Sequence, residues 1–395
     1  MFILILILLV DISFSPFLFI DHKVFLPWHV QGMWAQVLIM TAFSWSFFEN
    51  PKYIPKRNIP LGLLHLWVGG STAIICTKSQ MAGVYNYWTL FPYFNFLCLM
   101  VLYTLITRYL SKQEIRTILR CLRYVVIATL GMCVLQYVGL SQFFRLFVKD
   151  HGQVHYNIVT GFIGNGTHLS GLLAMCIPLF LWKNTREDKL AILLTLLVLC
   201  VSGSTIRDPS ISGFIISIAL IIYMAKRRFA WSVLLLGSGI LAGIFIYKHN
   251  PSFFSVSGRL DLWGAYLPIL KEKFILGSGL GTVKVLSTTS QFPKAHHLHL
   301  EYYQYLVELG LIGLILIGNV IIEFIKKKPQ GQTDKVLKAI VFGFLLSCLF
   351  NFPSHLWLPS IIAIFAYSSL LTQELTHAIF TQRNKGFSIK LDSTE

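Results

Sequence analysis

Apolar runs close to the roughly 20 residues that a helix needs to cross a hydrocarbon layer recur along the entire chain. Trp88 to Thr107, Trp231 to Tyr247 and Tyr302 to Ile322 are examples, and short polar or basic stretches separate such runs. Hydropathy predicts about twelve spans, beginning near residues 2, 28, 61, 88, 124, 158, 190, 211, 231, 302, 339 and 357, the seventh of them short. The run from Met1 to Ile20 lacks a basic n-region and a small-residue cleavage site, and Asp11 interrupts it; it reads as the first helix rather than a cleaved leader. The expected fold is therefore all-α: a polytopic integral membrane protein, one domain over residues 1–395, with one long loop over residues 248–300. That loop is expected to contain short helices. Ser257-Gly258 precedes an amphipathic stretch from Arg259 to Phe274, which ends at the turn sequence Gly277-Ser278-Gly279-Leu280-Gly281. At helical spacing Arg259, Trp263 and Tyr266 share a face.

Composition supports the bilayer as solvent. The chain is 55% hydrophobic and only 13% charged, where soluble domains carry about 25% charged residues. A net charge of +16 raises the question of nucleic acid, but no Lys/Arg-rich soluble segment or nucleic-acid module is visible. Basic residues of a membrane protein are first expected in cytoplasmic loops. With the N-terminus in the cytoplasm, the short loops on that side hold 22 Lys and Arg against 5 on the other. Both termini are then cytoplasmic, and residues 248–300 face the periplasm or the exterior. The seven cysteines lie in or beside apolar runs, none in the long loop, which argues against a disulfide framework. No self-similar halves, linker or second domain is evident.

Candidate chemistry gathers on the outer side. Nine of the twelve histidines map there, and His296-His297-Leu298-His299 sits where the long loop enters the span beginning near residue 302. A neutral imidazole at that rim can accept a proton from a hydroxyl nucleophile; the plainer alternative is a set of water-exposed interfacial histidines. A metal site is disfavoured, because the loop offers only Asp261 and Glu272 as carboxylates. Among cations, Arg259 and Arg207 stand out, since a guanidinium binds phosphate bidentately and stays charged. Arg207 lies between the apolar runs 190–203 and 211–225 and could instead pair with Asp208. Lys271, Lys273, Arg145 and Lys149 add positive potential near an anionic headgroup or are ordinary interfacial residues. The glycine-rich turn lacks the Lys-Ser/Thr of a nucleotide-binding loop and reads as a flexible turn. His65 and His168 lie inside apolar spans, where polar groups are costly.

Arg259, Trp263, the Gly277 to Gly281 turn, His299 and the run from Glu301 to Gly313 together resemble the signature region of the O-antigen ligase and O-antigen polymerase family of bacterial membrane glycosyltransferases. Gly164-Asn165-Gly166 resembles that family's Gly-Asn-Pro-Asn segment, and Ser202 to Arg207 its Ser-Gly-Ser-Arg segment. The likeness covers roughly residues 155–320, about 40% of the chain. It implies transfer of a glycan from an undecaprenyl-diphosphate carrier to a lipid or glycan acceptor hydroxyl, on the outer face of a bacterial inner membrane, with neither nucleotide sugar nor required metal or other cofactor. Carried over, Arg207 and Arg259 bind the diphosphate and His299 handles the acceptor proton; Trp263, Tyr266, Lys271 and Arg145 are candidate substrate contacts. The sequence departs from the family at Leu300, where the usual His-Asn pair would place Asn, and at Thr205-Ile206, which separates Ser204 from Arg207. His297 or His296 therefore remains open as the base. A repeat-unit polymerase, and from another class a transporter or flippase of a lipid-linked anion, are the alternatives.

Overall fold

The computed structural model describes residues 2, 3, 5, 7, 35–44, 59–81, 91–140, 148–150, 153–155, 159–162, 166–183, 185–202, 210–224, 256–287, 292–293, 297–351 and 353–388. After an apolar helical stretch Ala35–Ser44, the order is α1 (Ile59–Met81), α2 (Phe91–Tyr109), α3 (Lys112–Tyr137), β1 (Val148–Asp150), β2 (Gln153–His155), α4 (Gly166–Cys176), α5 (Arg186–Leu199), α6 (Ile211–Met224), α7 (Val256–Glu272), α8 (Thr282–Leu286), α9 (Glu301–Lys326), α10 (Gln332–Ser347) and α11 (Trp357–Ser388). The regular structure of the described residues is thus helical apart from one antiparallel hairpin, in which Lys149 pairs with Val154. The β-branched Val148 and Val154 flank a turn-prone His-Gly pair there, a local signal too short for a hydropathy window. The expected span near residue 231, and most of the first, lie outside the described residues.

Among the described residues two helices, α3 and α9, are long and apolar enough to cross a membrane. Helix boundaries differ from expectation where charge begins. The basic segment 107–123 is helical almost throughout, because Ser111 restarts the helix two residues after α2 ends. Its hydroxyl accepts from the Glu114 amide at 3.3 Å while the Glu114 carboxylate accepts from the Ser111 amide at 2.8 Å, a capping box. Lys112, Arg116 and Arg120 then recur every fourth residue on the exposed side, with Ile115, Ile118, Leu119 and Leu122 buried opposite. Averaging hydropathy over a window truncates a helix whose outer stripe is charged. Helix α10 also starts early, at Gln332 instead of near 339, but there the charged Asp334 and Lys338 are buried and Lys335 is half-buried.

In the packed interior α10 lies against α4, α6 and α11; α11 also packs on α2, and α9 on α1. Gly343 lets α10 approach closely, since a Cβ there would meet Met175 Cα of α4 at 2.9 Å. Lysines close two helix ends: Lys338 Nζ donates to the carbonyl oxygens of Ile325, at 2.7 Å, and Lys327, and Lys335 Nζ to that of Met224 at 3.1 Å. These cations also meet the negative ends of the α9 and α6 dipoles. Arg123 and the buried Asp188 form an ion pair at 2.7 Å between α3 and α5.

The polarity of α5 is inverted relative to a water-soluble amphipathic helix. Leu190, Leu193 and Leu197 point outward at 65%, 54% and 56% exposure, while Asp188, Ala191 and Thr195 face the interior.

Helix α9 is not continuous. Gly310 has φ 69° and ψ −173°, which frees backbone groups on both sides of the break. The glycine-rich turn satisfies them. Ser278 and Gly279 amides donate to the Val307 and Glu308 carbonyls at 3.0 and 2.8 Å, and the Leu311 and Ile312 amides donate to Phe274 and Ile275 at 2.8 and 3.3 Å. Trp67 Nε1 of α1 donates to the Leu309 carbonyl at 2.9 Å. A side chain at Gly277 would run into the Glu308 carbonyl and the Gly310 amide. The turn expected to be flexible is a backbone splice, because each open segment supplies the partners the other lacks.

Candidate functional site

The long loop returns to α9 through residues 297–300, and both neighbours hold that passage. The Leu298 carbonyl accepts from Trp263 Nε1 of α7 at 2.7 Å, and the Leu298 amide donates to Gln304 Oε1 of α9 at 3.1 Å. Tyr303 of α9 closes the triangle by donating to the Trp263 carbonyl at 2.9 Å. Pinned on both sides, the next residue takes a left-handed backbone: His299 has φ 54°, alone among the described non-glycine residues. Such a conformation costs about 1 to 3 kcal/mol and persists only where the surroundings over-determine it.

Arg259 stands near this turn, its Nη1 donating to the Phe350 carbonyl at 3.3 Å. Burial draws its guanidinium below the ordinary value. Burial first, and then the charge of Arg259, lower the proton affinity of His299. A neutral imidazole beside a fixed cation results, the pairing needed to take a hydroxyl proton near a bound anion.

His297 packs on a second histidine that the sequence did not single out. His355, on the short 3₁₀ turn Pro353–His355, lies with its ring centroid 4.5 Å from that of His297. Its Nε2 is buried with no hydrogen-bond partner. Burial and the nearby Lys284 of α8 push the imidazole down to about 4. Burial lowers Lys284 as well.

Beneath these groups, Glu301, Gln304 and Glu308 form one face of α9. Glu301 Oε1 accepts from the Ser354 amide at 2.7 Å and from its hydroxyl, which also bonds Tyr305. Glu308 Oε1 accepts from the Val283 amide at 3.2 Å and from Gln304 Nε2 at 3.3 Å. The two buried carboxylates fasten the His355 turn and α8 to α9. Their signal is present in the sequence as polar residues at i, i+3 and i+7 inside an apolar span.

Of the residues expected in a site, the structure brings Arg259, Trp263 and His299 together and sets His297 against His355. Tyr266 shares their face of α7 but is 0% exposed, its hydroxyl on the Val283 carbonyl at 3.3 Å and its ring against Phe292. It braces the loop core and offers no surface to a substrate, because the face shared with Arg259 runs inward along the helix. Lys271 is exposed in the last turn of α7. Arg207, Arg145 and His296 lie outside the described residues. Among the described residues no group of three or more His, Cys, Asp or Glu could hold a metal ion. Comparison of the chain with protein-family models and with curated proteins returned no match.

Proposed function

We propose that the chain is a polytopic membrane glycosyltransferase of the O-antigen ligase type, which moves a glycan from an undecaprenyl-diphosphate carrier to an acceptor hydroxyl on the outer face of the bacterial inner membrane. The observation that carries the reading is the approach of Arg259 and His299, forty positions apart in sequence and both half-buried, close enough that the guanidinium charge adds to partial burial in lowering the proton affinity of the imidazole. The outward leucines of α5 favour a lipid exterior, and the other spans of an expected twelve follow from hydropathy.

In the step envisaged, the acceptor oxygen attacks the anomeric carbon, its proton passes to His299, and the glycosyl C–O bond breaks to release undecaprenyl diphosphate with inversion. Arg259, joined by Arg207, stabilises the negative charge that develops on the leaving diphosphate. His297, packed against His355, remains the alternative base. A transporter reading gains one observation, the interrupted α9, since broken helices often line transport sites. Here the freed groups are bonded to the loop segment 274–279 and to Trp67, which favours the enzyme.

The test is reconstitution of the chain in vesicles with a defined undecaprenyl-diphosphate glycan and candidate acceptors. The parent transfers, while Arg259→Ala and His299→Ala lose at least about a hundredfold, the scale of general-base and charge-stabilising groups. A single addition to lipid A-core marks a ligase and a ladder marks a polymerase. Release of no glycan from the carrier with any acceptor, or parental rates in both variants and in His297→Ala, would sink the proposal.

A further inference from the structure

A second polar cluster lies beside this site. Asn351 follows α10, its amide donating to the Ser347 carbonyl at 2.9 Å. The residue is only 3% exposed, yet neither Oδ1 nor Nδ2 has a hydrogen-bond partner. The side chain lines a small cavity together with Thr167, His168, Gly171, Ser347 and Pro353. An amide buried with both ends unbonded is rare in a native interior, and such a group calls for an explanation.

The chemistry of the lining narrows what it receives. Amide, imidazole and two hydroxyls surround the space, and among the described residues neither a carboxylate nor a lysine or arginine lines it. The described lining thus offers no charge to pair with a phosphate or a metal cation. A hydroxyl, which donates one hydrogen bond and accepts others, matches an amide that offers one donor end and one acceptor end. The remaining wall, Leu172, Met175 and Leu356, is apolar. The location ties this space to the reacting groups: the Phe350 carbonyl, one residue away, takes the Arg259 guanidinium at 3.3 Å, and His168 lies within electrostatic reach of His299. Gly171 preserves the room, since a Cβ there would meet Ser347 Oγ at 3.1 Å and Asn351 Nδ2 at 4.0 Å.

We propose that Asn351, with Thr167, His168 and Ser347, forms a neutral subsite that binds a sugar hydroxyl next to the charged Arg259 site. This rests on the glycan-transfer reading. The Arg259 side holds the diphosphate, and the Asn351 side holds the sugar face of the same reaction.

The experiment uses the full chain in nanodiscs and compares the parent with Asn351→Leu and Gly171→Ala. Thermal unfolding is followed without ligand, with the undecaprenyl-diphosphate oligosaccharide, and with the acceptor glycan alone, and transfer is assayed in parallel. Asn351→Leu is close in size and leaves no amide unbonded, so the variant is expected to melt at or above the parental temperature. Its transfer falls roughly tenfold, mainly through KM, and ligand-induced stabilisation shrinks. The arm that loses stabilisation, carrier or acceptor, identifies which molecule supplies the hydroxyl. Gly171→Ala, which narrows the cavity while keeping the Asn351 amide in place, shows the same loss and carries the test if Asn351→Leu folds poorly. A resident water or a purely structural amide is the conclusion if Asn351→Leu melts well below the parent while Gly171→Ala keeps full transfer. Variants that match the parent in transfer and stabilisation overturn the subsite alone. A parent that neither transfers nor is stabilised by the carrier overturns the glycan-transfer reading, and the subsite with it.

Discussion

His299 and His355 are both held towards the neutral form, by burial and by a neighbouring cation, Arg259 for one and Lys284 for the other. On the proposed reading, this sets the acid limb of activity through His299. Its conjugate acid forms only below the ordinary imidazole value of about 6.5, so log(kcat/KM) stays level through mildly acidic pH and falls only at lower pH. Arg259→Gln removes a repelling charge; the limb moves up in pH even as the maximum rate drops, and a pH profile of the residual activity reads the shift. For His355 the consequence is stability. Its folded value, about 4, lies below the unfolded value near 6.5, so between the two the unfolded chain binds more protons. The stabilising contribution is complete above about pH 6.5 and is lost as pH falls towards 4. Thermal unfolding of His355→Gln between these limits shows a flatter pH dependence than the parent.

Single residues were unevenly legible. Arg259, Trp263 and His299 could be named because charge, amphipathic spacing and position at a membrane rim are local properties. His355 stood in the sequence as one more outer histidine, and Asn351 had no signal at all, because the value of each depends on what packs against it from a distant helix.

At the scale of elements, the two-glycine splice dominates. Gly277 and Gly310 both have positive φ and both approach backbone too closely for a Cβ. Gly310→Ala is expected to destabilise the protein by more than about 2 kcal/mol, combining left-handed strain with a forced backbone shift. Trp67→Phe removes one hydrogen bond to the same break and costs about 1 kcal/mol. Chemical unfolding in detergent micelles ranks the two; equal effects would count against the splice. Helix α7 was legible from its amphipathic pattern to within a few residues. The break in α9 was not, since hydropathy is blind to backbone conformation and a lone glycine in an apolar run is common. Nor was the helical nature of residues 112–123, where charge on the exposed stripe resembles a loop.

For the whole molecule, orientation is the claim to test. If residues 248–300 lie outside, a cysteine at Lys271 is labelled in intact cells by a membrane-impermeant maleimide, and one at Lys328 only after permeabilisation. Both positions are exposed. The reverse pattern would invert the site. The helical character was accessible from hydropathy because long apolar runs mark helices, and among the described residues α3 and α9 are long and apolar enough to cross a membrane. Contacts between helices were not, because most apolar side chains in such a chain are interchangeable to a scale that weighs only hydrophobicity.

The splice at Gly310 bears on how a substrate is admitted. A long outer loop is ordinarily the first candidate for a swinging cover, opening for substrate and closing for chemistry. Here the end of α7 is bonded through its main chain into the middle of α9, and α9 in turn grips the histidine turn through Glu301. Movement of the loop would expose unbonded amides and carbonyls in an apolar layer. On the glycan-transfer reading, the donor would meet a wall held in place by α7 and α9, and selectivity among glycans would follow from how well each fits that wall.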